Sequence, residues 1–554
     1  MRVKRSAAIA CVLITSGCAT GPNGQSQSAG DVLKSTFASD DPCSNNARNI
    51  GIVAGVVAGG LIGKKVGDNK GVVLGAGVGA FIGGLIGADI DRRRCELSKV
   101  AKAHNLDIRM TDIKVPAQAP SGNAVQDAAQ DAPKPETAGM SLTVLDRGNN
   151  QFASGSATPS PQAEKAFAAI ADKYAVAPTG NDPNAVREAK ERNKKMRILL
   201  VGHTDDMGSS QANADLSEGR ARAIAKIFSQ HGFGANQIYY QGAGEVYPIA
   251  DNRTEEGRAL NRRVEVVDLS DDAAFSAFLE SRRPNVANYR PAAPTTVDTP
   301  RIASAPVKKS NDRKTAATAS AATPAAPSAR PQTASSVDAT ESKVPPSSIT
   351  PSQAKREAGT VALGGLDFGG KRINGGAYKT VDIGQPVGGS SVFSLISRAH
   401  AADSLPVGSC ATDRPRISNR VKSLESGQER KTSDYFPGTA SSSWAGKANG
   451  HLVGLSGVAV LRDGGQPAGR PAFFIWKDWV DGSNAKPLLK TSGDVNVYRG
   501  DKALLYRVFP DEGPVRCVDM AISTSAPNTA PESTLIYEYG KAMYQADYSP
   551  VIAR

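Results

Sequence analysis

The sequence predicts a multidomain chain. It should hold an α/β unit with a mixed sheet and helices on one face, a glycine-rich helical hairpin, and a mostly β C-terminal domain, joined by disordered linkers. Three observations carry this expectation. Strand-like and helix-like segments alternate over 141–270, as expected for helices layered on a sheet. Glycine recurs at every fourth residue from Gly51 to Gly67 and again from Gly71 to Gly87. Beyond about 405, apolar runs are separated by turn signals such as Asp463-Gly464-Gly465 and Asp481-Gly482. The length of 554 residues allows about two to four folded units, and an aromatic content of 5 % is too low for one large core.

Residues 1–17 read as an export signal: Arg2, Lys4 and Arg5, then the apolar run Ala7 to Ile14, then Thr15-Ser16-Gly17. The apolar run is shorter than the ~20 residues a spanning helix needs. Ser16-Gly17-Cys18 resembles a bacterial lipobox, with Thr15 in place of the usual Leu. That resemblance implies a lipidated Cys18. Ala19 after it resembles lipoproteins sorted to the outer membrane, on its periplasmic face. A soluble periplasmic protein cleaved nearby is the alternative. Residues 18–48 are polar and read as the lipidated tether.

Of six cysteines, Cys11 leaves with the signal and Cys18 takes lipid. Cys43 and Cys95 bracket one segment, and Cys410 and Cys517 fall within another, so two disulfides are expected in an oxidising compartment. Free thiols are the alternative. No Cys-x-x-Cys occurs and the five His are scattered, so neither a metal site nor a cofactor is expected.

Residues 49–95 read as the glycine-rich hairpin. Residues four apart share a helix face, so each series makes a glycine ridge that lets two helices approach closely in lipid. Such a helix would be poor in water, where glycine costs about 1 kcal/mol per position. The pattern resembles the glycine-zipper segment of small outer-membrane lipoproteins. The apolar halves, Ile50–Gly63 and Gly71–Ala88, are 14 and 18 residues long, which implies a hairpin inserted in or lying on the membrane, with self-association through the ridges. A packed hairpin closed by Cys43–Cys95 without membrane contact is the alternative.

Residues 113–138, rich in Ala, Pro, Gln and Asp, read as a linker. In the α/β unit at 141–270, Ser141–Leu145, Met196–Val201, Ile238–Gln241 and Val264–Leu269 are expected strands. Gln162–Tyr174 and Asn213–Gln230 carry apolar residues at helical spacing. Residues 281–357, dominated by Ala, Pro, Ser and Thr, read as a disordered linker. In the C-terminal domain at 405–554, strands are expected at Leu452–Leu461, Ala472–Val480, Asp494–Val497, Ala503–Phe509, Val518–Ile522 and Leu535–Tyr544. A sandwich or barrel-like arrangement follows.

The net charge of +12 suggests nucleic acid at first sight, but its distribution does not. Twelve Lys/Arg against five Asp/Glu fall in 281–357 and three more Arg/Lys in the signal, leaving +2 for everything else. No nucleic-acid face is expected on a folded domain.

The densest motif begins at the end of a predicted buried strand. Gly202-His203-Thr204-Asp205-Asp206-Met207-Gly208 is followed by Asn213, Leu216-Ser217 and Arg220-Ala221, then Gly242-Ala243-Gly244-Glu245 and Asn261-Arg262-Arg263-Val264-Glu265. Asp205 ends a strand, where ligand loops gather in open α/β sheets. Asn213, Leu216 and Arg220 share one helical face, able to turn Arg220 toward Asp205. An acid beside a guanidinium suits a zwitterion, the Arg forking onto its carboxylate. This run resembles the OmpA-like C-terminal domain, a peptidoglycan-binding module, over 141–270. The resemblance implies that Asp205 and Arg220 hold the free side-chain end of diaminopimelate in the stem peptides. Thr204 and Asn213 then support, and Arg263 is either near the pocket or a structural ion-pair partner. His203 is expected to be a packing residue and Asp206 solvated. The connection Gly180–Lys195 is longer and more charged than the module usually has, and Phe152–Ala157 lacks an Asp that some members use as a further ligand.

The module offers no nucleophile–base pair and no phosphate loop, so no enzyme is expected. The function expected is an outer-membrane lipoprotein that bridges membrane and peptidoglycan. The alternative is an envelope scaffold, part of a secretion or conjugation machine, that recruits a protein partner through 405–554.

Overall fold

The computed structural model describes residues 89–115, 136–146, 150–175, 182–292, 365–373, 378–384, 407–430, 434–462 and 464–553, with fragments at 19–20, 26–27 and Cys43. The signal, Cys18, and the glycine series of 51–87 lie outside the described residues. Both expected disulfides are formed, Cys43–Cys95 and Cys410–Cys517.

The α/β unit contains α1 (89–104), β1 (Asp107–Val115), β2 (Glu136–Leu145), α2 (Pro161–Ala171), α3 (Pro183–Lys195) and β3 (Arg197–His203). It continues with α4 (Ser210–Gln230), β4 (Ile238–Gly242), α5 (Glu255–Asn261), β5 (Arg263–Leu269) and α6 (Asp272–Ser281). The sheet order is β1-β2-β5-β3-β4, with β3 and β4 parallel and the other pairs antiparallel. A parallel pair needs a crossover, and α4 supplies it. Every residue of the central strand β5 is buried.

Local chemistry fixes the helices. Ser160, Asp182 and Ser209 each cap a helix by accepting from the backbone N–H three residues on, and Pro161 and Pro183 occupy first turns. Helices α1–α4 cover one sheet face, where Ile90, Leu97, Phe167, Ile170, Ile224 and Phe228 join Leu142, Ile198 and Val266 in the core. Phe275 and Leu279 of α6 pack on the other face with Leu199 and Val267.

Three expectations need correction. The charged connection Gly180–Lys195 is mostly helix α3, which buries only Ala189 and so has no apolar stripe to reveal it. The ends of the 113–138 linker belong to β1 and β2, paired Ile113 to Gly139 and Val115 to Glu136. The start of the 281–357 linker is folded: Tyr289 donates its hydroxyl to the Val246 carbonyl at 2.7 Å, and Arg290 grips Asp206.

The C-terminal unit is a meander of eight antiparallel strands. They are β8 (Tyr435–Ala448), β9 (His451–Leu461), β10 (Ala472–Trp476), β11 (Leu489–Arg499), β12 (Ala503–Pro510), β13 (Val515–Ser523), β14 (Ser533–Tyr539) and β15 (Ala542–Tyr548). The short β16 (Val551–Ile552) returns to pair with β8, Trp444 opposite Ile552, so the sheet curls toward closure. β6 (Lys371–Arg372) pairs with the outer side of β15. Trp444, Phe473, Tyr506, Tyr537 and Tyr548 fill the interior, which suits an eight-stranded barrel whose bore side chains can fill. The single expected strand Leu535–Tyr544 is a hairpin, turned at Gly540 with φ +60°.

The two units are clasped together rather than held apart by the linker. An extended strap, 407–430, runs between them. Cys410 fixes one end to β13, and Asp413 bonds Arg507 (2.7 Å), Tyr498 (2.8 Å) and Arg416. Further along, Asn419 N–H donates to the Gly242 carbonyl at 2.7 Å and Lys422 meets Glu218 at 2.8 Å. Its β7 (Lys422–Ser423) adds a sixth strand beside β4. The strap has no amphipathic period because its partners lie in two different units.

Candidate functional site

The site forms at the carboxyl end of β3, where α4 lies against the sheet. Two glycines permit that approach: a Cβ on Gly202 would stand 2.1 Å from the Ser217 carbonyl oxygen, and one on Gly242 2.3 Å from that of Ala214. Ser217 accepts from Gly244 N–H at 2.9 Å. The backbone of the helix that carries Asn213 and Arg220 is thereby set directly on the strand ends.

Asp205 follows β3. One carboxylate oxygen accepts from Met207 N–H at 3.1 Å, the other from Arg262 Nη1 at 2.8 Å. Arg220 is buried. Its Nε donates to the Ser156 carbonyl at 2.9 Å, and its guanidinium lies over the Phe152 ring at 5.0 Å. Burial lowers its pKa, opposed by Asp146 and then Asp205. The pair expected to share a ligand is thus brought to one place without bonding to each other, and each is oriented by other groups. Thr204 is 6 % exposed and its hydroxyl oxygen has no hydrogen-bond partner among the described residues. Asn213 holds the loop: its amide donates to Glu245 (2.9 Å), the Met207 carbonyl (3.0 Å) and the Asp205 carbonyl (3.3 Å).

Arg263 takes the second of its two expected roles. It points into the protein, bonding Glu265 at 2.7 Å and the Tyr247 carbonyl at 2.9 Å. His203 lies 3.4 Å from the same carboxylate. Burial, then Arg263, pushes the imidazole pKa down to about 4, so it stays neutral. Asp206 is not solvated. It is 4 % exposed and held by Arg290 through two bonds of 3.0 Å.

The sequence reading missed four contributors. Arg262 is one, and strand alternation separates it from Arg263. Asp146 is another: buried, it accepts from Gln151 N–H at 2.8 Å, and its pKa is raised by burial against the nearby Arg220. Glu245 and Arg414 are the others, paired at 2.8 Å beneath the loop. Arg414 comes from the strap, about 200 residues distant in sequence, and left no local signal. Among the described residues no group of His, Cys, Asp and Glu is arranged to hold a metal ion.

Comparison with known proteins bears on this arrangement. Residues 151–262 match the OmpA family. Residues 50–94 match the glycine zipper family. The OmpA-like stretch is 46 % identical over 69 residues to outer membrane protein A of Bordetella avium, which is 12 % of this chain and 36 % of that protein. It is 42 % identical over 71 residues to outer-membrane lipoprotein YfiB of Pseudomonas aeruginosa, 13 % of this chain and 42 % of the relative. A third relative is the peptidoglycan-binding protein ArfA of Mycobacterium bovis, 45 % identical over 71 residues, 13 % of this chain and 22 % of its own. The chain therefore spans well under half the length of each of these relatives.

Proposed function

We propose that this protein is a non-catalytic outer-membrane lipoprotein that ties the membrane to peptidoglycan. In this reading the OmpA-like domain grips the free end of diaminopimelate in stem peptides. The single observation that carries it is the convergence at the end of β3 of an anchored acid, Asp205, and an anchored guanidinium, Arg220, that do not neutralise each other directly. The ligand ammonium would share Asp205 with Arg262. The ligand carboxylate would take N–H groups of Arg220 beyond those given to the Ser156 and Ala153 carbonyls, since a guanidinium carries five. The unpartnered Thr204 hydroxyl fits a polar ligand at the same place. The relatives named for outer-membrane, lipoprotein and peptidoglycan-binding roles support the class. Cys18 would supply the lipid anchor, and the glycine-zipper ridges would add membrane contact and self-association.

Binding to purified sacculi tests the site. Asp205→Ala with Arg220→Ala should abolish co-sedimentation while the melting transition stays cooperative. Undiminished co-sedimentation of the folded double variant would sink the assignment. Incorporation of a clickable fatty acid, lost on Cys18→Ser, tests the anchor.

The scaffold alternative has one observation in its favour. On the outside of the barrel Phe474 stacks on Trp476 at 5.5 Å, Trp476 meets Trp479 at 5.8 Å, and Val480 beside them is 70 % exposed. A photo-crosslinker at Val480 should yield one defined adduct in cells if that row recruits a partner, and none if the protein only tethers.

A further inference from the structure

The loop that carries Asp205 is gripped from outside its own domain. Within the OmpA-like unit it is held by Asn213, and by Thr204 N–H, which donates to the Gly244 carbonyl at 3.0 Å. Two arginines reach it from beyond residue 262, where the OmpA-like match ends. Arg290 takes the Asp206 carboxylate with two bonds of 3.0 Å. Arg414 of the strap donates to the carbonyls of Asp206 and Gly208, and to the Glu245 carboxylate at 2.8 Å. Farther along the strap, Ile417 N–H donates to the Ser210 hydroxyl at 2.5 Å, at the start of α4. The strap passes so close that a Cβ on Gly244 would stand 2.9 Å from the Ile417 carbonyl oxygen.

Arg414 is itself presented by the barrel. Asn496, buried in β11, donates its amide to the Arg414 carbonyl at 2.8 Å and accepts from Arg416 N–H at 2.8 Å. From the Arg414 guanidinium the contacts run on in series. Glu245 is buried, and a buried carboxylate is costly without a charged partner. It accepts from Arg414 and from Asn213, and Asn213 in turn donates to the Asp205 and Met207 carbonyls. A continuous set of bonds therefore joins a barrel strand to the backbone of Asp205. The ligand groups themselves are held by other residues: the Asp205 carboxylate by Met207 and Arg262, the Arg220 guanidinium by the Ser156 and Ala153 carbonyls. Contact with the loop backbone and its buried support is the geometry of a brace rather than of a plug.

We propose that Arg414 is a positioning residue for wall binding, through which docking of the barrel and strap sets the affinity of the OmpA-like site for the stem peptide. This rests on the reading of Asp205 and Arg220 as that site. A loop already fixed in its bound conformation loses less freedom when the ligand arrives, so affinity rises. Coupling of this kind is reciprocal: if the docked strap favours the ligand, the ligand favours the docked strap by the same factor.

The test uses the mature chain and muropeptides that carry diaminopimelate, released from sacculi. Arg414→Gln should weaken binding about tenfold, as loss of charge-assisted bonds implies. Glu245→Gln/Arg414→Gln removes the buried acid together with its cation, so it keeps the fold if Arg414→Gln alone does not, and it should weaken binding alike. Asn496→Ala should act in the same direction from within the barrel. Saturating muropeptide should slow protease cleavage within 407–430 severalfold, an effect that a merely structural strap would not show. Unchanged affinity in the folded Arg414 variants, tighter binding by them, or strap cleavage indifferent to muropeptide would each overturn the proposal. If Asp205→Ala/Arg220→Ala still abolishes binding in those cases, the site reading stands and only the role of Arg414 falls. Undiminished binding by that variant would instead remove the site and this proposal together.

Discussion

Arg262 Nη1 lies 2.8 Å from Asp205 Oδ2, while its neighbour Arg263 turns to the opposite side of the strand start and bonds the buried Glu265. Two adjacent arginines therefore do different work. One braces the loop that carries Asp205; the other neutralises a carboxylate inside the protein.

This division predicts a clean separation of phenotypes. The Arg262–Asp205 pair is part-exposed, and such pairs contribute about 1 kcal/mol or less. Arg262→Ala should leave the melting temperature nearly unchanged while weakening sacculus binding by roughly three- to tenfold through loss of a charge-assisted bond. Arg263→Ala strands Glu265 uncompensated in the interior and should cost about 3–5 kcal/mol. Chemical denaturation of both variants beside wild type, with sacculus co-sedimentation, checks the contrast. Equal destabilisation by the two substitutions would contradict it.

The buried His203 predicts an acid sensitivity with a defined window. Its folded pKa is about 4, below the ordinary 6.5, because burial and Arg263 disfavour the imidazolium. The unfolded chain therefore binds more protons between those values. Stability from this residue is full above pH 6.5 and is lost as the pH falls toward 4. The loss amounts to roughly 3 kcal/mol. Several buried carboxylates, among them Asp146 and Glu245, have raised pKa values and act in the opposite sense, so the effect is read as a difference. His203→Gln should flatten the fall in denaturation midpoint between pH 6.5 and 4 relative to wild type. Parallel curves for the two proteins would remove His203 as the cause.

How far the sequence could be read depended on where each residue finds its partners. α4 and β5 were legible because their apolar periods face one core, and the Asp205 and Arg220 motif was legible because strand end and helix face are near in sequence. The glycines at 202 and 242 make that motif's geometry possible, yet only the structure reveals their contact with α4. Helix α3 was overlooked because it buries one alanine and reads as a charged loop, although Asp182-Pro183 marks its start. Tyr435–Ala448 was not expected as a strand because Gly, Pro and Ser interrupt it; it is held by pairing on both sides. Arg290, Arg414 and the strap were illegible for a different reason. Their partners Asp206, Glu245 and Glu218 lie some 80 to 210 residues away, and no local pattern encodes such contacts.

The strap supplies the last prediction. Asp413 holds it to the barrel by meeting Arg416 and Arg507 together, and these cations keep its carboxyl far below the usual range despite burial. Arg507 has a second carboxylate, Asp519, at 2.6 Å within the barrel, so loss of Asp413 leaves the barrel's own ion pair intact. Arg416, by contrast, would be left buried without its acid. The Cys410–Cys517 bridge closes a loop of 107 residues, and bridges of that span stabilise by about 2–5 kcal/mol. Asp413→Ala combined with Cys410→Ser and Cys517→Ser should therefore release the strap while both units stay folded. The expected result is a single calorimetric transition in wild type that splits into two in the triple variant, because units that no longer share an interface melt separately. Protease cleavage within 407–430 should quicken in parallel. A triple variant that still melts in one unshifted transition would show that the units are held together by something other than the strap.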